Sequence, residues 1–206
     1  YFFFFMSMKP FFVTVFLCGF LAALASVFTP WEYRADAQVL IVSRSRYGVD
    51  PYTVAKSAER IGENIAQVVR TDDFFGKVIT EPNFSVDKTR FENVSERVKR
   101  RRWGRAVNAS VVYGTGVLNI SAYAKTQESA VQLAGASAAA LTRYAPEYVG
   151  GDVTFKLLNS PVSTQFPARP RVLFAFVLGA IFGALLSFVL QTAFRSQRQG
   201  TVYRPS

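Results

Sequence analysis

The chain has 206 residues, one cysteine and no histidine, with 24 basic and 14 acidic residues and a formal net charge of +10. The lack of histidine excludes Ser-His-Asp triads, Cys-His pairs and His-ligated zinc sites, and a single cysteine excludes a disulfide framework. A phosphate-binding loop is also excluded, because Gly76-Lys77 lacks the upstream glycine and the following Ser or Thr. No acidic pair stands out for carboxylate catalysis. The sequence therefore predicts a protein that is not an enzyme and needs no metal or cofactor.

The first apolar stretch, residues 11–28, has no charged residue. With its flanks it approaches the roughly 20 residues that a helix needs to cross a membrane, and it predicts a first transmembrane helix at 11–29 after a short cytoplasmic N-terminus at 1–10. Trp31 follows the stretch, where aromatic residues favour the membrane interface. A cleavable signal peptide is the alternative, because Ala23-Leu24-Ala25 resembles a cleavage site, but the run exceeds the usual signal core of about 7–15 residues.

The second apolar stretch, residues 172–194, is also free of charge and predicts a transmembrane helix at 171–194. A basic tail follows at 195–206. Lys9 on the N-terminal side and the arginines of this tail have no acidic neighbours in the two end segments. Positive charge near short ends favours the cytoplasmic side, so we expect a two-pass inner-membrane protein with both termini cytoplasmic.

A G-x-x-x-G pattern lies inside the second stretch, at Gly179 and Gly183, followed by the small residue Ala184. Glycines four residues apart share a helix face and allow another backbone to approach closely. The pattern predicts packing against Gly19 and Ala23 of the first helix, or against a partner. The alternative is that glycine is simply common in membrane helices.

The segment between the apolar stretches, residues 30–170, reads as globular sequence. A strand is predicted at Tyr33–Val42, and Asp50-Pro51 is a typical helix start. An apolar stripe follows at three- and four-residue spacing, with the intervening charged residues, Glu59 among them, expected on the surface. The stripe consists of Val54, Ala58, Ile61, Ile65 and Val68.

Further along, the pattern predicts a short helix at Asp72–Thr80 and a polar helix that begins near Val86-Asp87, with Phe91, Val94 and Val98 on one face. A hairpin is predicted at Ala106–Tyr113 and Val117–Ala124 around Gly114-Thr115-Gly116. A helix at Thr126–Tyr144, a break at Gly150-Gly151 and a last strand at Val153–Leu158 complete the segment. This order predicts an α+β class, a ferredoxin-like βαββαβ extracytoplasmic domain between the two transmembrane helices.

These features together resemble the Wzz family of polysaccharide chain-length determinants, also called polysaccharide co-polymerases. The resemblance rests on the order of several segments along nearly the whole chain. They are the strand at residues 33–42, the helical region 52–78 with Asp72-Asp73-Phe74-Phe75, Leu118–Tyr123 followed by Gln127–Ala130, and a proline-rich segment that leads into the glycines of the second apolar stretch. The proline-rich segment contains Pro161, Pro167 and Pro170. The chain lacks the long helical extension of larger members and resembles the small type that works with a separate cytoplasmic tyrosine kinase.

The resemblance implies a non-catalytic membrane homo-oligomer that sets the chain length, or permits the export, of capsule, exopolysaccharide or lipopolysaccharide O-antigen. The implied partners are a polysaccharide polymerase, a tyrosine kinase, or both. Proline locks φ and keeps the preceding residue extended, so the proline-rich segment would fix the angle between domain and membrane. The tail could touch the kinase through Arg195 and Arg198, with Tyr203 as a phosphate acceptor or an ordinary tyrosine.

The predicted polar helix ends in a basic cluster, which consists of Arg97, Lys99, Arg100, Arg101, Arg102 and Arg105. Guanidinium groups match phosphate and carboxylate geometry well, so the cluster could bind an anionic glycan or a lipid-linked intermediate. A solvated helix face or a subunit contact is the alternative. Nucleic acid is not expected, because the cluster is predicted outside the cytoplasm.

Two other classes share this layout. One is an extracytoplasmic sensor or an accessory subunit of a membrane transporter. The other is a secreted enzyme tethered by its second helix, which the lack of histidine and of a nucleophile motif disfavours.

Overall fold

The computed structural model of the chain describes residues 2–43, 50–150 and 153–200, and the side chains of residues 11–42, 50, 52–150 and 153–190. The elements in chain order are α1 (Phe2–Val27), β1 (Tyr33–Ser43), α2 (Pro51–Val68), α3 (Asp72–Ile79), α4 (Glu96–Ala106), β2 (Val107–Val111), β3 (Val117–Ala124), α5 (Gln127–Val149), β4 (Val153–Ser163) and α6 (Val172–Gly200). The chain divides into a helical unit, Tyr1–Trp31 with Arg169–Ser206, and a second unit, Glu32–Ala168. The predicted α+β class is confirmed.

The second unit contains one antiparallel four-stranded sheet with the strand order β2-β3-β1-β4. Alternate residues of β1 face the helices and are fully or almost fully buried, among them Ala35, Ala37 and Val39. They share the core with α2 and α5. The opposite face is polar: the Asn159 amide donates to Gln38 at 2.7 Å, and the Ser121 hydroxyl donates to Asp36 at 2.6 Å. An antiparallel sheet with one covered and one polar face is an ordinary solution for a domain of this size.

The start of α2 follows from its local sequence. The Asp50 carboxylate accepts a hydrogen bond from the Thr53 backbone N–H at 3.3 Å, and Pro51 occupies the first turn. The carboxylate satisfies one of the unpaired N–H groups of the helix start, and proline fits the first turn because it lacks an N–H group there and its φ is preset. The predicted helix start is therefore confirmed.

The hairpin between β2 and β3 depends on two glycines in its turn. Gly114 has a φ of +70°, which glycine adopts without strain. A Cβ added to Gly116 would lie 2.7 Å from the Ile41 carbonyl oxygen, whereas the Gly116 carbonyl accepts a hydrogen bond from Ile41 N–H at 2.7 Å. Gly116 therefore lets the turn approach β1 closely.

The helix predicted from Val86-Asp87 onward is wrong over its first half. The Asp87 carboxylate accepts hydrogen bonds from the backbone N–H and the hydroxyl of Thr89, at 3.0 and 2.6 Å, which closes a local turn. Asn93 has a φ of +55°, a conformation that ends helical propagation. Helix α4 therefore begins only at Glu96, after Ser95.

Two later elements run beyond their predicted ends. Helix α5 continues past Tyr144 through Pro146 to Val149, and Gly150, with a φ of +94°, ends it. Gly151 lies outside the described residues. Strand β4 extends to Ser163 and includes Pro161. Proline is tolerated there because β4 is an edge strand and Pro161 lies at an irregularity in its pairing with β1.

The helical unit consists of α1 and α6. Among the described residues one helix, at Val172–Leu190, is long and apolar enough to cross a membrane, and Phe11–Val27 is apolar but shorter. The predicted two-pass arrangement is therefore still a prediction.

Candidate functional sites: the basic helix and the glycine-lined helix pair

Helix α4, which carries the basic cluster, is anchored by a single buried tryptophan. Trp103 is fully buried and donates its indole N–H to the Val69 carbonyl oxygen at 2.8 Å. Its ring makes edge-to-face contacts with Phe75 and Phe91, with centroids 5.0 and 5.9 Å apart. Such pairs add stability beyond the area that they bury. The anchor fixes which side of α4 faces solvent.

Three of the six basic residues hold α4 against the domain. The Lys99 ammonium lies 5.0 Å from the Phe75 ring centroid. Arg100 pairs with Asp72 at the start of α3, and Arg102 donates to the Arg90 carbonyl oxygen at 2.6 Å. We assign these three side chains to the stability of the fold.

The other three basic residues of α4 are Arg97, Arg101 and Arg105, and all three are exposed; we call them the arginine stripe. Among the described residues, Arg97 and Arg101 make no hydrogen bond or ion pair. Residues four apart lie on one helix face, so the stripe is a line of guanidinium groups along α4. Within the predicted cluster, Arg97 and Arg101 are thus exposed and have no partner among the described residues.

In the helical unit, Gly179 and Gly183 of α6 are buried against α1. A Cβ added to Gly179 would lie 2.5 Å from the Ala22 Cβ and 3.0 Å from the Gly19 Cα. One added to Gly183 would lie 2.8 Å from the Cys18 Cβ and 3.0 Å from the Thr14 carbonyl oxygen. No larger side chain fits at either position without separating the helices. Close backbone approach of this kind is how glycine patterns pack helices in lipid.

The other predicted packing residues are less central. Ala184 and Ala23 are only partly buried, and Ala22 rather than Ala23 lies nearest to Gly179. On the α1 side, a Cβ added to Gly19 would lie 3.0 Å from the Phe176 ring and 3.1 Å from its carbonyl oxygen. The contact between the helices is therefore built mainly from three glycines and the small residues beside them.

The predicted proline-rich segment does not form one element. Pro161 lies in β4, Pro167 follows it in the α+β unit, and Pro170 belongs to the helical unit after a cis peptide bond. Gln127 ties the segment to α5, because its side-chain amide donates to the carbonyl oxygens of Thr164 and Gln165 at 3.2 and 3.1 Å. The predicted kinase contacts, the side chains of Arg195 and Arg198 and all of Tyr203, lie outside the described residues.

Three acids are buried although their burial was not predicted from the sequence. Glu32 pairs with Arg90 at 2.6 Å, and Glu81 lies 3.5 Å from Arg143. Glu59, expected on the surface, is only 4% exposed, and its carboxylate accepts a hydrogen bond from the Lys56 ammonium at 3.2 Å. It borders a cavity of about 390 Å³ between α2 and the end of β2. Helical periodicity does not reveal such burial, because the period describes one helix and not the segments that pack around it.

A further cluster joins α3 to the end of α5 and is centred on Lys77, so we call it the Lys77 cluster. The Lys77 ammonium lies 2.6 Å from Glu147 and 4.9 and 4.4 Å from the ring centroids of Tyr144 and Tyr148. Its hydrogen bond with Glu147 raises the pKa of Lys77. The Tyr148 hydroxyl donates a hydrogen bond to Asp73 and lowers the pKa of that carboxyl. The pKa of Tyr148 is raised, mainly by burial and secondly by the same hydrogen bond. The cluster ties two helices together.

No known protein-family model matches this chain, and no curated protein sequence is similar to it.

Proposed function

We propose that the chain is a non-catalytic, two-pass inner-membrane protein that regulates the chain length and export of a surface polysaccharide. In this proposal it acts as a homo-oligomer with a polysaccharide polymerase, a separate tyrosine kinase, or both. The α+β unit is a ferredoxin-like domain outside the cytoplasm, and both termini are cytoplasmic. The chain is then a small member of the Wzz-type co-polymerases.

The main support is the way in which the α+β unit begins and ends. Its first and last residues are hydrogen-bonded to each other: Ala168 N–H donates to the Glu32 carbonyl at 2.8 Å, and Thr164 N–H donates to the Arg34 carbonyl at 2.8 Å. A chain that enters this unit after one apolar helix therefore leaves it at the same place before the other. This suits a domain that leaves a membrane and returns to it.

The order of the strands supports the ferredoxin-like assignment. The outer strand β2 follows the helical connection from β1, and β3 lies between the two. The other outer strand, β4, follows α5 from β3, and β1 lies between them. This is the arrangement of two interleaved βαβ units. The sheet is antiparallel throughout, because the interleaved strands run in opposite directions.

The surface of the helical unit supports a membrane setting. Large apolar side chains on both helices are exposed, including Phe12 at 58% and Phe182 at 65%. A patch of this kind is unfavourable in water. The core helix of a soluble protein would bury these side chains.

Deletion of the gene, followed by gel sizing of cell-bound and released polysaccharide, tests the proposal. We expect a shifted or lost length distribution that the intact gene restores. A Gly179→Leu chain should fail to restore it, because its side chain would separate α1 from α6, whereas the matched Ile181→Leu chain, altered at an exposed position, should restore it. An unchanged length distribution, in a strain without a second copy of the gene, would rule out the proposed function as a regulator. The alternative function, a sensor or an accessory subunit of a membrane transporter, would then take its place.

A further inference from the structure

The positive charge of the α+β unit is concentrated on one helix. Residues 32–168 contain all 14 acidic residues and 18 basic residues, which leaves a net charge of +4. Helix α4 alone has six basic residues and one acid, Glu96, for a net charge of +5. The rest of the unit is therefore close to neutral, and α4 dominates the field that an approaching anion meets.

The arginine stripe presents this charge as a line rather than as a pocket. Its residues follow one another at four-residue intervals, so their positions advance by about 6 Å per step along the axis. Gly104, between Arg101 and Arg105, has nothing within 4 Å of an added Cβ, so the helix surface beside the stripe is open. Evenly spaced guanidinium groups on an open surface match the successive charges of an extended polymer better than a single small anion.

The same surface disfavours a lipid or protein partner. The exposed residues of α4 are Glu96, Arg97, Arg100, Arg101, Gly104 and Arg105, and none has a large apolar side chain. Helices that bind membrane surfaces insert Trp, Phe or Leu, and the centres of protein interfaces are enriched in aromatic residues. In α4 the apolar residues Trp103 and Ala106 are buried in the core.

We propose that the arginine stripe binds an acidic polysaccharide, a linear polymer that carries carboxylate or phosphate groups on its repeating units. Arg97 and Arg101 make the central contacts, because no residue of the described chain neutralises them, and Arg105 extends the line. The inference rests on the proposed function, since it names the charge class of the polymer that the chain would regulate. Arg100 and Arg102 position the helix through Asp72 and the Arg90 carbonyl.

Binding of the full-length chain, in uncharged detergent, to immobilised polygalacturonate tests this site. Neutral dextran and anionic phospholipid vesicles serve as comparison surfaces. We expect binding to polygalacturonate that weakens with added salt, and little binding to dextran. The double variant Arg97→Gln/Arg101→Gln should bind roughly tenfold more weakly, which corresponds to about 1.4 kcal/mol for the two exposed charged contacts together.

The matched control is Arg60→Gln/Lys125→Gln, which removes the same net charge from two other exposed positions. We expect it to change polygalacturonate binding less than about twofold, because dispersed surface charges act weakly and are screened. Equal weakening by both double variants would overturn the site, as would absence of polygalacturonate binding. Stripe-dependent binding to the vesicles but not to polygalacturonate would also overturn it, in favour of a membrane surface.

The two proposals fail in different ways. If gene deletion changes polysaccharide length but the stripe variant binds like the wild type, only the acidic-polymer site is wrong. If deletion leaves the length unchanged while polygalacturonate binding depends on Arg97 and Arg101, the site stands and the proposed function is wrong.

Discussion

The indole N–H of Trp103 donates to the backbone carbonyl of Val69, so one hydrogen bond of 2.8 Å joins the basic helix to the end of α2. Val69 is itself fully buried, and a buried carbonyl that loses its donor is costly. The position of α4, and with it the direction of the arginine stripe, thus depends on a residue that carries no charge.

Replacement of Trp103 should therefore lower the stability of the fold, by an amount that depends on whether an aromatic ring remains. We expect Trp103→Ala to lower the free energy of unfolding by about 3–5 kcal/mol through the lost packing, and Trp103→Phe by roughly 1–3 kcal/mol, because the ring remains but the hydrogen bond is lost. Denaturant unfolding followed by circular dichroism measures both. The control Trp31→Phe, at a half-exposed position, should change stability by about 0.5 kcal/mol or less; equal effects at both tryptophans would contradict the anchor.

The packing of α1 against α6 can be tested with the single native thiol. Cys18 faces Gly183, where an added Cβ would lie 2.8 Å from the Cys18 Cβ. A disulfide needs about 3.5–4.5 Å between its two Cβ atoms, so a slight separation of the helices would let Gly183→Cys form one. We expect oxidation to protect both thiols of this variant from a maleimide reagent, and reduction to restore labelling.

The matched control for this cross-link is Leu185→Cys, at a position 63% exposed on α6. Its thiol should not pair with Cys18 in the same chain. Protection of Leu185→Cys but not of Gly183→Cys would place a different face of α6 against α1.

The Lys77 cluster predicts a pH dependence of stability with a defined sign. The hydrogen bond from Tyr148 lowers the folded-state pKa of Asp73, so its stabilisation is present above the unfolded pKa of about 3.9 and is lost as pH falls through the folded pKa. Tyr148→Phe should reduce stability at pH 7 by roughly 0.5–1 kcal/mol, since the site is partly exposed. The difference from wild type should shrink below about pH 3.5.

Thermal unfolding of both proteins between pH 2.5 and 7 measures this difference. Tyr144→Phe is the control, because its ring also lies over Lys77 but its hydroxyl has no hydrogen-bond partner among the described residues. A difference between Tyr148→Phe and wild type that stays constant with pH would show that the hydroxyl does not act through Asp73.

The parts of the fold that the sequence predicted correctly depend on local chemistry. The start of α2 at Asp50-Pro51 and the β2–β3 turn at Gly114–Gly116 each need only a few neighbouring residues. The helix predicted over residues 86–94 was wrong because two signals in this region conflict. Phe91, Val94 and Val98 have helical spacing, whereas Asp87 and Asn93 favour turns. Local hydrogen bonds of Asp compete with helix formation, and here the turn is the outcome.

The basic cluster of the candidate site could be predicted from the sequence, but the partners of its individual side chains could not. Six basic residues in nine positions are evident from the sequence, yet the partners of Arg100 and Arg102 lie 28 and 12 residues away. Glu59 likewise borders a cavity that Val111 of β2, far along the chain, also lines. Side-chain pairing across distant segments is a property of the tertiary structure, which periodicity alone does not contain.

Two helical glycines should respond to alanine in opposite directions. A Cβ added to Gly76 in α3 would meet nothing within 4 Å, whereas one added to Gly135 in α5 would lie 2.3 Å from the Phe84 ring. Alanine reduces the entropy of the unfolded chain and favours the helix, so Gly76→Ala should raise the free energy of unfolding by about 0.5–1 kcal/mol. Gly135→Ala gains the same term but must displace Phe84 from a packed position, which typically costs about 1–3 kcal/mol. Denaturant unfolding of both variants should therefore give shifts of opposite sign, and a stabilised Gly135→Ala chain would mean that Phe84 does not pack against α5.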